Sequence, residues 1–138
     1  MKKLLILFTF LMVGVSVFAD AFVPDFTAMK VLKCEISETV YNQDNSVVVQ
    51  NKYHRVFRLD DENRQIYLQK APVDSISTYN DGQIQMYIQT LTDDSIISEN
   101  ITLNRFDNTY KGVSQITYDN EILGVRHAQS EGLCTLVD

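Results

Sequence analysis

Two cysteines set the frame of this chain. Cys34 sits in the run Val31-Leu32-Lys33-Cys34-Glu35-Ile36-Ser37, and Cys134 lies four residues from the end of the 138-residue sequence. The chain opens like an exported one, and two cysteines in such a chain read as one disulfide. Closing a loop of about 100 residues stabilises a fold by roughly 4 to 5 kcal/mol in the chain-entropy account. A reactive thiol pair would call for Cys-x-x-Cys spacing and an acidified thiol, and that spacing is absent. The fold is therefore expected to lay its first and last strands together and join them through Cys34 and Cys134.

The export reading rests on the first residues. Lys2 and Lys3 precede an apolar run over 4–13, and small residues follow in Ser16-Val17-Phe18-Ala19-Asp20-Ala21. That order is a signal peptide, with cleavage expected after Ala19 or after Ala21. The stretch 4–19 falls short of the roughly 20 residues that cross a bilayer, so no stable membrane insertion is expected after cleavage. No cysteine stands at its end to carry a lipid. The expected organisation is a signal peptide over 1–19 and a single β domain over 20–138, located in the periplasm or secreted. The formal net charge of −6 falls to about −8 once the two leader lysines are gone. This excess of acid argues against nucleic acid or an anionic membrane face as the partner.

Short alternating segments separated by turn residues predict an all-β fold, a single-domain antiparallel β sandwich or small barrel of about 8–10 strands. In 29–40, Leu32, Cys34 and Ile36 share the core side. Tyr53, Arg55, Phe57 and Leu59 share one parity, and a four-residue loop over 60–63 would place Phe57 opposite Ile66. Ala71-Pro72 interrupts the ladder, because proline offers no donor to a central strand. The segments 73–79 and 83–91 form a hairpin through Asn80-Asp81-Gly82, with Gly82 expected in the left-handed region and Ile76 opposite Met86. A turn over 106–109 would set Leu103 opposite Gly112 and Ile101 opposite Ser114. Asp119-Asn120 would turn into 121–128 with Ile116 opposite Leu123, and Gln129-Ser130-Glu131-Gly132 would precede a final strand over 133–137.

Chemistry-bearing motifs are scarce. His54 and His127 stand in predicted strands, His127 near Gly112 at the edge of the core, and no ligands at a characteristic spacing accompany either. The acids Asp60, Asp61, Glu62, Asp93 and Asp94 read as turn residues, since neither cluster has the alternation, glycine and closing glutamate of a calcium loop. No Gly-x-Ser-x-Gly elbow occurs. No catalytic residue, cofactor or metal is expected. The nearest thing to a recognition surface is the hairpin face of Tyr79, Gln83, Gln85, Tyr87 and Gln89, where tyrosine supplies contact area and glutamine uncharged hydrogen bonds.

An exported β chain with one cysteine in its first strand and one near its end is similar in layout to the periplasmic inhibitors of c-type lysozyme. The Ser-Gly-x-x-Tyr loop and the Tyr-Trp-x-Lys-Gly segment of that family are missing, and this chain has no Trp, so the inhibitory function is not carried over. The first functional expectation is a non-catalytic envelope protein that binds another protein or a cell-wall component. The second is a β-barrel carrier of a small apolar ligand, which needs a hollow interior. The third is an enzyme whose site is scattered over loops, which needs polar groups converging on a cleft.

Overall fold

The computed structural model describes residues 24–137; the predicted signal peptide and its cleavage site lie outside the described residues. A 3-10 turn at Phe26–Ala28, capped by the Asp25 carboxylate accepting from the Thr27 N–H, leads into β1 (Lys30–Tyr41). There follow β2 (Val47–Asp60), β3 (Gln65–Leu68), β4 (Ala71–Pro72), β5 (Ser75–Tyr79), β6 (Gln83–Leu91), β7 (Ser95–Asn104), β8 (Thr109–Tyr118) and β9 (Val125–Val137). The longer strands form by alternation: in β1, Leu32, Cys34 and Ile36 are buried while Lys33, Glu35 and Ser37 face away.

The nine strands make one antiparallel sheet in the order β4-β3-β2-β1-β9-β8-β7-β6-β5, curled into a half-barrel. Strands adjacent in sequence pair everywhere except between β4 and β5. The first and last strands pair with each other in the middle of the sheet. Cys34 lies directly opposite Cys134 in that ladder, and the two are bonded. Gly132 faces Ile36 in the same ladder, and a Cβ there would run into the Glu35 carbonyl, so only glycine permits this approach of β9 to β1.

One end of the interior is filled. Phe57, Ile66, Ile84, Ile101, Leu103 and Tyr110 are almost wholly withdrawn from solvent and share a single cluster with Leu32, Leu59 and Met86. Val73, in the two-residue link between β4 and β5, is buried with them and donates its N–H to the Ile66 carbonyl.

Several registers differ from expectation, each for a local reason. Leu59 pairs with Ile66 and Phe57 with Leu68, so the loop is 61–64, not 60–63. Its last residue, Arg64, takes a positive φ of 53°, and the Asp60 carboxylate caps Asn63. The β7–β8 turn repeats this pattern: the loop is 105–108, Asn108 has φ 58°, and Ile101 faces Gly112 while Leu103 faces Tyr110. Thr117 pairs with Val125, so 119–124 is a loop closed by Gly124 at φ 60°, and Leu123 lies in it; Ile116 faces Arg126. The expected turn at Gln129-Ser130-Glu131-Gly132 is uninterrupted strand inside β9.

The β5–β6 hairpin also turns differently. The Asn80 N–H donates to the Gln83 carbonyl and the Asn80 side chain accepts from Gly82 and Gln83, which leaves Asp81 and Gly82 as a two-residue turn. Gly82 is not in the left-handed region; its lack of a Cβ makes room for the Phe106 ring, 2.8 Å from where that atom would stand. A bulge between Ile76 and Thr78 then resets the register, so that Ile76 still faces Met86 while Tyr79 faces Ile84.

The disulfide spans a sequence separation of 100. Replacing Cys34 and Cys134 together by alanine is expected to lower the unfolding free energy by about 4 kcal/mol, read as a shift of the urea midpoint against the oxidised protein.

Candidate functional site

Parity along β2 brings a charge into the barrel. Arg55 lies between Tyr53 and Phe57 on the inward face, and its guanidinium bridges the interior to the opposite wall. One nitrogen donates to the Tyr110 Oη of β8 at 2.9 Å. The other donates to both Glu99 oxygens of β7, at 3.0 and 2.9 Å. Glu99 is nearly buried, with 7% of its side chain accessible. Burial raises the Tyr110 phenol above its ordinary value against the pull of Arg55. Burial works against the charge on Arg55, and Tyr110 and Glu99 outweigh it, so the guanidinium holds its proton more tightly than usual. Gly112 stands beside the Tyr110 ring on β8, where a Cβ would strike the Ser130 Oγ. The sequence signal for the network is two charged residues at inward parity, Arg55 beside Phe57 and Glu99 between Ile97 and Ile101; nothing local to either strand says that the two meet across the interior.

Above this network the half-barrel is open. A cavity of about 660 Å³ lies between the link from β4 to β5 and the neighbouring strands, lined by Tyr53, His54, Arg55, Leu68, Tyr87 and Gln89 among others. Tyr53 donates to Glu38 at 3.3 Å, and the Arg55 guanidinium lies 5.5 Å from its ring centre. Burial pushes the Tyr53 phenol well above its usual range. The wall of this opening mixes phenols, amides and aliphatic carbon with the charged or titratable side chains of Arg55, His54 and Asp74.

The predicted recognition face divides. Gln83, Gln85, Tyr87 and Gln89 alternate with the buried Ile84 and Met86 and so share the outer face of β6. Gln85 accepts from Thr78, and Tyr87 donates to Ser98. Tyr79 is not among them. The bulge at Ser77 turns it to the inner side, where it packs on the core and donates to Asp61 at 2.8 Å. Tyr87 and Gln89 reach the rim of the cavity; Gln83 and Gln85 do not line it.

Asp61, read from sequence as a turn acid, also clasps the filled end of the barrel. Lys30 reaches it at 2.9 Å and Arg105 at 3.0 Å, so β1, the β2–β3 loop, β5 and the β7–β8 loop meet on one carboxylate. Asp60 and Asp94 stay within their own turns, accepting from Asn63 and Thr92. His54 lines the open cavity, whereas His127 stacks on Tyr41 at 5.3 Å, opposite Gln115 and away from Gly112. Among the described residues, no group of three or more His, Cys, Asp or Glu side chains is placed to hold a metal ion.

Two outcomes follow from these clusters. Glu99→Leu strands the Arg55 charge and is expected to cost about 3 kcal/mol, while the double variant Arg55→Leu/Glu99→Leu recovers most of it; urea unfolding of the two variants checks this. For Asp61, burial raises the carboxyl, but the hydrogen bonds from Arg105, Lys30 and Tyr79 outweigh it and hold it well below the usual range. A folded pKa below the unfolded value of about 4 contributes stability above that pH and loses it as the solution is acidified further. Asp61→Asn is therefore expected to flatten the fall of the urea midpoint below about pH 4 relative to the parent.

Compared with known proteins, the chain matches no family model, and no curated protein or solved structure is significantly similar to it.

Proposed function

We propose that this chain is a non-catalytic binding protein of the cell envelope, which holds a partner protein or a cell-wall component at the open side of its half-barrel. The observation that carries the reading is the opening itself. Sequence-adjacent strands pair at every junction except β4–β5, and the gap left there is floored by the buried Val73 and walled by tyrosine and amide side chains. Tyrosine in a concave site supplies contact area, and phenols and amides supply hydrogen bonds to a bound partner.

The rival readings have less to stand on. A carrier of an apolar molecule needs a hollow apolar interior, and here the filled end is packed with Phe57, Ile66, Ile84 and Leu103 while the open end has a mixed wall. A hydrolase needs polar groups free to act on a substrate. His54, Asp74 and Ser75 line the opening, but among the described residues no hydrogen bond joins any two of them, and Arg55 is held by Glu99 and Tyr110. The disulfide fits an oxidising compartment outside the cytoplasm, and among the described residues no helix is long and apolar enough to cross a membrane. Periplasm and extracellular space both agree with those two facts.

The reading is tested by placing a photo-crosslinking residue at Gln89, on the rim of the opening, and at Val113, exposed on the outer face of β8. Expressed in the secreting cell, the Gln89 variant is expected to trap one discrete envelope partner and the Val113 variant none. Equal labelling from both positions, or an intact mass that retains a small apolar molecule, overturns it.

A further inference from the structure

One edge of the opening is unusually complete. β3 pairs only with the last residues of β2, from Phe57 to Asp60, and the Gln69 N–H adds a bond to the Val56 carbonyl at 2.9 Å. Beyond that point β2 runs from Val47 to Arg55 with β1 on one side and no strand on the other. The Val56 carbonyl points to the open side, and the period of two gives the same direction to the backbone groups of His54, Lys52 and Gln50. Across the gap, β6 has no outer neighbour beyond Tyr87, where its pairing with β5 ends.

The other free edges are short or interrupted, that of β6 running only from Ile88 to Leu91. β4 is two residues long and contains Pro72, and β5 is five residues long and broken by its bulge; these are ordinary protections against strand addition. The free half of β2 has one bulge, at Val48, where its pairing with β1 shifts register, and is regular from Val49 to Arg55; its β-branched run Val47-Val48-Val49 is exposed at 55%, 37% and 42%. It contains no proline and no acid.

Charge selects the occupant. The chain has 18 acidic and 12 basic residues, yet 47–55 contains Lys52, His54 and Arg55 and no carboxylate. Glu99 answers Arg55 in the interior, while Lys52 makes no ion pair among the described residues. A second copy pairing β2 against β2 over this whole stretch would set Gln50 opposite Lys52 and bring the two Lys52 side chains to diagonal positions about 7–8 Å apart, where like charges repel. A strand with acidic side chains meets Lys52 as its immediate neighbour, with Glu35, the partner of His54 on β1, one strand further off.

We propose that the free edge of β2 takes up an extended acidic segment of a partner polypeptide. The segment adds as a strand through the N–H and C=O groups of Gln50, Lys52 and His54, with its carboxylates over Lys52. The main-chain bonds supply affinity and the charge supplies choice of partner. This rests on the binding reading above and names the partner's chemistry and mode.

The test is amide hydrogen exchange on the oxidised protein with a capped ten-residue peptide of alternating threonine and glutamate at millimolar concentration. Exchange at Gln50, Lys52 and His54 is expected to slow by about fivefold or more. Lys52→Glu is expected to weaken peptide binding about tenfold, and Lys52→Pro, which removes an outward donor while leaving the β1 ladder intact, to abolish it. A peptide with lysine in place of glutamate is expected not to bind. Unchanged exchange at saturation, or equal binding of the two peptides, overturns the proposal. Protection that appears without peptide and grows with protein concentration also overturns it, by assigning the edge to a second copy. Partner trapping from Gln89 with silent exchange at the edge overturns the strand addition alone; loss of both overturns the binding reading as well.

Discussion

The pairing of β1 with β9 is the contact on which the rest of the structure depends. It joins segments 100 residues apart at the centre of the sheet, not at its rim. Every other ladder is a local hairpin or the neighbour of one, and its loop entropy is small. The β1–β9 ladder alone must meet the full cost of bringing the chain ends together. The bond between Cys34 and Cys134 removes that cost from the folded balance by restricting the unfolded chain. Gly132 serves the same contact, since any side chain there would hold β9 off the Glu35 backbone.

A sheet stapled at its centre still has two wings free to splay. Arg55 and Glu99 belong to opposite wings, β2 and β7, and their bidentate contact crosses the interior with Tyr110 as a third anchor. At the filled end, Asp61 draws the β2–β3 loop to Tyr79 of β5 and to Arg105 of the β7–β8 loop. A buried ion pair is a weak source of net stability, because desolvation offsets most of its attraction. Its effect here is geometric: it fixes the separation of the walls at the level where the barrel opens.

Much of the fold was legible from sequence because two of its signals are simple. Cysteine count gave the disulfide, and the period of two gave the inner faces of β1, β2, β6 and β7. The registers at the β2–β3 and β7–β8 turns were each off by two residues for one shared reason. The loop closes on a left-handed residue, and that residue is Arg64 in one and Asn108 in the other. A shift of two keeps every side chain on its own face, so the hydrophobic pattern has no power to detect it. Tyr79 changed faces because the bulge at Ser77 resets parity within one strand, and bulges leave little mark on composition. The run Gln129-Ser130-Glu131-Gly132 looked like a turn because small polar residues are turn formers; in β9 they are small because Gly112 packs against Ser130 and Glu35 against Gly132. The opening was not legible at all, since it depends on where β3 stops pairing with β2, a tertiary fact with no local signature.

That opening has a physical explanation in the placement of the two prolines and the staple. Pro24 lies outside the sheet and Pro72 lies in β4, at the junction where sequence-adjacent strands fail to pair. A barrel closed at β4–β5 would need a donor from residue 72, and proline has none. An ordinary up-and-down barrel leaves its seam between first and last strands and closes it by hydrogen bonds. Here that junction is closed and covalently locked, and the seam is displaced to the middle of the chain. The consequence is topological: with β1–β9 secured by the disulfide and the walls held apart by Arg55 and Glu99, the sheet stays curled without a β4–β5 ladder, and the backbone groups along that seam remain unpaired by neighbouring strands.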